Sequence, residues 1–139
     1  MRLAGLGTRR PVCIDAEAKI IEACQLMRAQ RAEKLVVTAR SDAGSIPVGV
    51  ISASDIVMRV LALGLDPAVV TAGDILWSRT VAVRLDDSVA ETLTRLSASG
   101  GETVPVVDGN GEVAGVLSLD DLLQALARSE PSRADRLHR

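Results

Sequence analysis

Apolar and polar positions along this 139-residue chain follow the same order of elements twice: strand, helix, strand, strand, helix. Strands are indicated where apolar residues alternate or β-branched residues run together, and helices where apolar residues recur at i, i+4 and i+7. The elements of the first half are predicted at residues 12–15, 17–30, 35–38, 47–52 and 54–63. Those of the second half are predicted at residues 81–85, 89–96, 103–107, 112–117 and 119–126.

Polar residues and glycines mark the ends of several elements. Asp87 or Ser88 can cap the first helix of the second half. The sequence Asp-Gly-Asn-Gly at 108–111 is a strong hairpin signal. Between the halves, Gly64 occupies a helix C-cap position, and Thr-Ala-Gly-Asp at 71–74 resembles a capping box that opens a short helical turn. The connector between the halves (residues 64–80) is therefore predicted to be ordered.

The two halves are related by an internal repeat. Gly-Val-Ile-Ser-Ala-Ser-Asp at 49–55 returns 66 residues later as Gly-Val-Leu-Ser-Leu-Asp-Asp at 115–121. Upstream, Leu-Val-Val at 35–37 matches Val-Pro-Val at 104–106 with an offset of 69. The offsets differ by three, which places an insertion in the predicted loop at 39–45. Insertions in connecting loops are well tolerated, so the chain is predicted to be a duplication.

Composition narrows the function classes. With 47% hydrophobic and 24% charged residues, the chain has the profile of a globular protein. Trp77 is its one aromatic residue, which argues against aromatic cages and against serial stacking of bases. His138 is its one histidine, which argues against a His-rich metal site or a Ser/His/Asp triad. A net charge of −2 gives no reason to expect a nucleic-acid partner.

Two further patterns concern location and the thiols. No stretch approaches the ~20 apolar residues that span a bilayer, so we expect no membrane association and a cytoplasmic location. Cys13 and Cys24 are eleven positions apart, which fits neither a redox pair nor a four-ligand zinc pattern. We expect both to be buried free thiols.

A Gly-x-x-Ser-x-x-Asp turn lies at the last strand-to-helix junction of each half, and the two turns end in Asp55 and Asp121. A carboxylate there can accept hydrogen bonds from two ribose hydroxyls, while Ser52, Ser118 and the helix N-terminal amides can bind phosphate. Alternatively, Ser-x-x-Asp serves only as a helix cap. Duplication preserves either role, so local chemistry leaves both open.

These turns, together with residues 35–37, residues 104–108 and the link at 55–67, carry a resemblance to a known family. Over residues 3–127 the chain resembles a tandem pair of cystathionine-β-synthase (CBS) domains, the Bateman module. The resemblance implies an α/β (α+β) fold of two β-α-β-β-α repeats packed with pseudo-twofold symmetry, and a homodimer. It also implies an adenosine-containing ligand: AMP, ADP, ATP or S-adenosylmethionine.

The resemblance implies roles for individual residues. Asp55 and Asp121 would hold ribose hydroxyls, Ser52 and Ser118 would assist at ribose or phosphate, and Lys34 would contact phosphate. The adenine would be enclosed by six aliphatic residues: Val12, Ile14, Val36, Val81, Val83 and Val106. No catalytic residue, metal ligand or required cofactor is implied, and the adenine nucleotide is a regulatory ligand.

The expected function is therefore a non-catalytic regulatory module. It would bind its adenosine ligand in the cleft between repeats and signal occupancy to an unidentified effector protein. The alternative is a ligand-free interaction or dimerisation module. An enzyme is disfavoured because the sequence offers no nucleophile–base pair. We assign residues 1–66 to the first repeat with its N-terminal segment, 67–127 to the second repeat with the connector, and 128–139 to a flexible basic tail.

Overall fold

The computed structural model describes residues 1–42, 44–76, 82–99 and 102–129. Trp77, Val81 and the tail from residue 130 onward therefore lie outside the described residues. The first half contains β1 (Cys13–Asp15), α1 (Ile20–Gln30), β2 (Lys34–Ser41), β3 (Gly44–Ser52) and α2 (Ala53–Ile56), which continues as a π-helical turn (Val57–Leu61). The second half contains β4 (Val83–Arg84), α3 (Val89–Ser99), β5 (Thr103–Val107), β6 (Val113–Ser118) and α4 (Leu119–Ser129). This mixed architecture confirms the predicted fold class.

Each half builds one three-stranded sheet with the same topology. The orders are β1-β2-β3 and β4-β5-β6, and in each sheet the first pair is parallel and the second antiparallel. Even the irregularities correspond, because the register shifts between Val37 and Thr38 in one sheet and between Val106 and Val107 in the other. These positions are 69 residues apart, the offset of the sequence repeat.

The predicted loop at 39–45 is wrong. In the structure β2 and β3 extend into it, where Ala39 pairs with Ile46 and Ser41 with Gly44. The three-residue insertion lengthens the hairpin because its backbone groups bond across the two strands. Gly44, at φ 103°, supplies the left-handed residue that the tight turn requires.

The helix ends follow the capping groups. Helix α1 begins at Ile20 rather than residue 17, because Lys19 is extended and its amide donates to the Glu22 carboxylate at 3.0 Å. Ser88 caps α3, since its hydroxyl accepts from the Glu91 amide at 3.1 Å. The predicted box at 71–74 forms, with reciprocal bonds of 3.0 and 3.2 Å between Thr71 and Asp74.

Each hydrophobic core includes residues from outside the strands and helices of its own half. Leu3, at the start of the N-terminal arm (residues 1–10), is fully buried in the core of the second sheet. In return, Ala72 and Ile75 of the connector are buried in the core of the first sheet. The arm is held by backbone bonds such as Ala4 to Leu85, and the connector by bonds such as Ala72 to Ala18. Each core thus draws on both sides of the proposed 66/67 division.

The two cysteines are more exposed than expected. Cys13 is exposed and Cys24 half-buried, so the expected burial of both thiols is wrong. Cys13 lies on the outward side of the short strand β1, whose burial alternates around Ile14. Within the described ranges, no helix is long and apolar enough to cross a bilayer.

Candidate functional site

Both Gly-x-x-Ser-x-x-Asp turns form capping boxes. In the first, the Ser52 amide donates to Asp55 Oδ2 at 2.8 Å and the Asp55 amide donates to the Ser52 hydroxyl at 3.1 Å. In the second, the corresponding bonds between Ser118 and Asp121 are both 3.0 Å long. The capping role is therefore real in each half. It leaves acceptor positions on each carboxylate, because two carboxylate oxygens offer about four lone-pair sites.

The glycine of each turn allows another segment to cross the strand. A Cβ added at Gly115 would overlap the Thr8 side chain and lie 3.0 Å from the Arg9 carbonyl oxygen. A Cβ added at Gly49 would lie 2.6 Å from the end of the Leu76 side chain. The arm therefore lies against β6 at Gly115, where Arg9 is bridged to Val116, and the connector contacts β3 through the Leu76 side chain. The contact with β6 places N-terminal residues beside the second Ser-x-x-Asp turn.

A cleft of about 490 Å³ opens beside this second turn. The first repeat (copy one) contributes Val12, Val36 and Val50 to its apolar lining, and the second repeat (copy two) contributes Val116 and Leu117. Copy two contributes Ser118 and Asp121 from the start of α4. The volume lies within the range of ~300–1,000 Å³ usual for small-molecule sites. Neither repeat forms this cleft alone.

The cleft brings together five of the predicted site residues: Val12, Lys34, Val36, Ser118 and Asp121. The other predicted residues are placed elsewhere. Ile14 fills the first core, because the alternation of β1 turns it inward, and Val83 and Val106 are buried in the second core. None of these three residues lines this cleft, so their contact with adenine stays a prediction. Ser52 and Asp55 belong to the first turn and do not line it.

Five of the cleft's lining positions have sequence counterparts that fall outside the described residues. Counterparts of Arg9, Arg10 and Val12 lie at 78, 79 and 81, and those of Arg31 and Ala32 lie at 100 and 101. The predicted adenine contact Val81 is one of these. Its place in a second cleft around Asp55 therefore stays a prediction.

Lys34 lies where the two copies meet. Its ammonium group donates to the Thr103 hydroxyl at 2.7 Å. Thr103 is the counterpart of Lys34 under the 69-residue offset, so a residue contacts its own equivalent. Such a contact marks the pseudo-twofold axis, and it places the Lys34 charge at the seam between repeats.

Asp121 is ion-paired across 112 residues of sequence. Arg9 Nη2 lies 3.3 Å from Asp121 Oδ1, and the carboxylate side chain is only 21% exposed. Partial burial raises the pKa of Asp121, but the amide and hydroxyl of Ser118 and the Arg9 guanidinium together outweigh it. The net pKa lies below the ordinary value of 3.8. The carboxylate is therefore charged and held in place at neutral pH.

Asp55 has a different partner. Its Oδ1 lies 3.6 Å from Arg59 Nη2, one helical turn later in the same segment. The counterpart of Arg59 in copy two is Ala125, which is buried. The two aspartates therefore share a cap geometry but differ in their ion-pair partners: Arg59 of the same helical segment pairs with Asp55, and Arg9 of the N-terminal arm pairs with Asp121.

Sequence analysis missed three basic residues of the cleft: Arg9, Arg10 and Arg31. The arm carried no motif that would place it beside α4, since the exchange of segments is a tertiary feature. Arg31 had one usable signal, namely that Gly100 occupies its position in copy two. A glycine there indicates a helix C-cap, after which the chain turns toward the cleft.

Comparison with protein families follows the same two-part pattern. A family model described as CBS domain matches residues 3–62 and 72–128. Uncharacterized protein MK0525 of Methanopyrus kandleri is 30% identical over 127 residues, which are 89% of this chain and 63% of that protein. The CBS domain-containing protein CBSCBSPB2 of Arabidopsis thaliana is 27% identical over 122 residues. This chain covers 87% of its own length in that match but only 22% of the plant protein, so it spans less than two thirds of both relatives.

Solved structures share the fold. The CBS domain protein PAE2072 from Pyrobaculum aerophilum, solved in complex with AMP, is 30% identical with a TM-score of 0.74. That match covers 92% of this chain and 99% of the other. The CBS domain pair of protein MJ0100, solved with 5′-methylthioadenosine and S-adenosyl-L-methionine, is 20% identical with a TM-score of 0.72. It covers 94% of this chain and 98% of the other, and at this identity it supports the fold alone.

Proposed function

This chain belongs to the CBS domain family as a tandem pair of CBS domains, and from that premise we propose that it is a regulatory module that binds an adenosine-containing ligand. The ligand lies in the cleft between the repeats. Asp121 accepts hydrogen bonds from the ribose hydroxyls, and Ser118 assists at ribose or phosphate. The module performs no catalysis itself, and it passes ligand occupancy to an effector protein.

The composition of the cleft carries this proposal. Aliphatic side chains of both repeats line the cleft beside the charged, hydrogen-bonded carboxylate of Asp121. A nucleoside has the matching polarity, because its base is a flat, largely apolar surface and its ribose presents two adjacent hydroxyl donors. Because the chain contains no Phe or Tyr, the base packs against aliphatic side chains of the walls without a phenyl or phenol ring beneath it. The hydrogen bonds at Asp121 therefore contribute a large share of the affinity.

Comparison with relatives supports the ligand class. The relative PAE2072 was solved with AMP and matches nearly the whole of this chain. AMP, ADP and ATP are therefore the ligands to test first, followed by S-adenosylmethionine, which the family resemblance also implies.

Calorimetric titration of these ligands tests the proposal. Wild-type protein binds at least one of them, and Asp121→Asn weakens its binding about tenfold or more, because a hydrogen bond to a charged group contributes ~1.5–3 kcal/mol. Asparagine keeps an acceptor for the Ser118 amide, so the helix cap survives. Asp120→Asn removes the same charge from an exposed neighbour on α4 that does not line the cleft, and it leaves affinity unchanged.

One observation favours a second candidate, a ligand-free interaction module. Both Ser-x-x-Asp turns form complete capping boxes, and a purely structural role requires nothing more of these residues. On that account no adenosine ligand binds the wild-type protein at any accessible concentration. Asp121→Asn then changes only stability, by the ~0.2–1 kcal/mol of the lost ion pair with Arg9.

We also propose a homodimer. Eight large apolar side chains in the described part of the chain beyond Met1 are at least two-fifths exposed: Ile21, Val57, Met58, Leu61, Leu63, Leu65, Val69 and Leu123. Six of them fall between residues 57 and 69, and exposed apolar surface at this density marks an interaction site. An effector protein and a cytoplasmic location stay predictions from the sequence.

Sedimentation of two matched variants tests the dimer. Met58→Glu places a charge in the exposed apolar segment and shifts the protein toward monomer. Gln124→Glu is the control, because Gln124 is the exposed counterpart of Met58 in copy two. Equal sedimentation of wild type and Met58→Glu contradicts the use of this segment as the dimer interface.

A further inference from the structure

Positive charge is in excess in the cleft between the repeats. Its lining contains two acidic side chains, Glu33 and Asp121, and four basic ones: Arg9, Arg10, Arg31 and Lys34. Arg9 is paired with Asp121. Within the part of the chain that the structure describes, no carboxylate lies within ion-pair distance of the Arg10 or Arg31 side chain. A cleft with such an excess attracts an anion.

The backbone of Arg31 is unusual. It lies at φ 52° and ψ 41°, the left-handed region, at the C-cap of α1. Among the described residues it is the one residue other than glycine with a positive φ. Glycine is the favoured residue at such a cap, and copy two has Gly100 there. An arginine retained at a conformational cost, on the wall of a cleft, indicates a role for its side chain.

Arg9 combines a fixed backbone with a free side chain. Its amide donates to the Val116 carbonyl and its carbonyl accepts from the Val116 amide, both at 3.2 Å. Its side chain, in contrast, is 75% exposed. Exposed ion pairs contribute little free energy, so the guanidinium can leave Asp121 at small cost while the arm stays in place.

We propose that this cleft selects an adenosine ligand that carries phosphate, and that Arg9 moves from Asp121 to the phosphate as the ligand binds. This rests on the proposed function of the same cleft. The ribose hydroxyls take the acceptor positions that Arg9 vacates on Asp121, and Arg10 and Arg31 bind phosphate oxygens through charge-assisted hydrogen bonds. S-adenosylmethionine carries a positive sulfonium and is disfavoured by the same charges.

The basic set belongs to one copy. The counterparts of Arg9, Arg31 and Lys34 in copy two are Ser78, Gly100 and Thr103. Only the counterpart of Arg10, at position 79, is basic. Preference for phosphate is therefore a property of the Asp121 cleft and does not follow from the repeat itself.

Calorimetric titration with AMP, adenosine and S-adenosylmethionine tests this selection. Wild-type protein binds AMP about tenfold or more tightly than adenosine, since one charge-assisted hydrogen bond of ~1.5–3 kcal/mol suffices. Arg31→Gly lowers the affinity for AMP by about the same factor and leaves the affinity for adenosine unchanged. Because glycine suits the left-handed position, the melting temperature of this variant does not fall.

The variant Arg9→Ala tests whether Arg9 moves from Asp121 to the phosphate or only attracts the negative charge of the ligand. It weakens AMP binding, while adenosine binds up to about fivefold more tightly because no ion pair has to be broken. Unchanged adenosine affinity overturns the exchange of partners. Arg28→Ala, an exposed arginine of α1 that does not line the cleft, alters neither affinity.

The outcomes distinguish the two proposals. Equal affinity of the wild type for AMP and adenosine, tighter binding of S-adenosylmethionine than of AMP, or an equal loss of both ligands in Arg31→Gly overturns the phosphate selection while the adenosine site stands. Absence of binding by all three ligands overturns the proposed function, and the phosphate selection with it.

Discussion

Asp55 and Asp121 occupy the same position of the repeat, and their surroundings differ in what neutralises the charge. Asp55 pairs with Arg59 of its own helical segment, whereas Asp121 pairs with Arg9 of the N-terminal arm. The sequence repeat predicts the shared cap. It also shows that Asp121 lacks an equivalent of Arg59, because Ala125 occupies that position. It does not show that Arg9 pairs with Asp121 instead, because the arm is distant in sequence from α4. The electrostatic contrast between the aspartates is therefore visible only in three dimensions.

The lowered pKa of Asp121 predicts a pH-dependent contribution to stability. A carboxyl group whose pKa is depressed on folding stabilises the protein above its unfolded pKa, and this contribution is lost as pH falls through the folded value. Urea unfolding of wild type and Asp121→Asn therefore shows the wild type as more stable at neutral pH, with the gap closing below pH 3.8. A gap that stays constant across this range contradicts the assigned interactions.

Site residues could be predicted from sequence only in part. The Ser-x-x-Asp turn predicted Ser118 and Asp121 as site residues, and both line the cleft together with Lys34 and Val36. Of the six aliphatic residues predicted around adenine, Val12 and Val36 line it. Alternation along a strand does not show whether an apolar residue faces a core or the cleft. Ile14 illustrates this, as it fills the first core.

At the scale of elements, local signals predicted most of the fold. Alternation, caps and turn residues predicted β1 to β6 and α1 to α4, and β5 has the predicted bounds of 103–107. They gave no signal for the short 3-10 helix at Leu3–Leu6 in the arm. The hairpin of β2 and β3 was underestimated, because its pairing beyond Thr38 depends on cross-strand bonds rather than on apolar alternation. The π-helical turn after α2 has no signal in the apolar spacing either.

The crossing of each Gly-x-x-Ser-x-x-Asp strand predicts unequal effects of two matched substitutions. Gly115→Ala forces the new methyl group against Thr8 and the Arg9 backbone, which cannot move without displacing the arm. It lowers the free energy of unfolding by ~1–3 kcal/mol, the usual range for overpacking. Gly49→Ala meets only the end of the flexible Leu76 side chain and lowers it less. Equal losses in denaturant unfolding contradict this difference.

At the scale of the whole molecule, the N-terminal arm ties the repeats together. It completes the second core, which therefore draws on two separate stretches of the chain. The first core is built from one stretch, residues 12–76, which includes Ala72 and Ile75 of the connector. The arm also brings Arg9 and Arg10 to the cleft, and Val12 follows it directly. Folding and formation of the site are therefore linked through the arm.

This linkage predicts that the arm is part of the core. Leu3→Ala removes a fully buried side chain and lowers the free energy of unfolding by ~2–5 kcal/mol, as in other cores. Gln25→Ala, at an exposed side chain of α1 outside the proposed dimer segment, changes it by ~0.5 kcal/mol or less. Similar small changes in both variants, measured by urea unfolding, indicate that the arm does not contribute to the second core.

The central claim, a nucleotide site between the repeats, is tested most directly by amide NMR spectra of the 14.6 kDa chain during titration with AMP. The account predicts saturable shifts concentrated at the cleft, at the amides of Arg9, Lys34, Val36, Ser118 and Asp121. It predicts no comparable shifts at Gln25 or Gln124, which are exposed and do not line the cleft. Spectra that remain unchanged at saturating AMP, or shifts that cluster away from the cleft, contradict it.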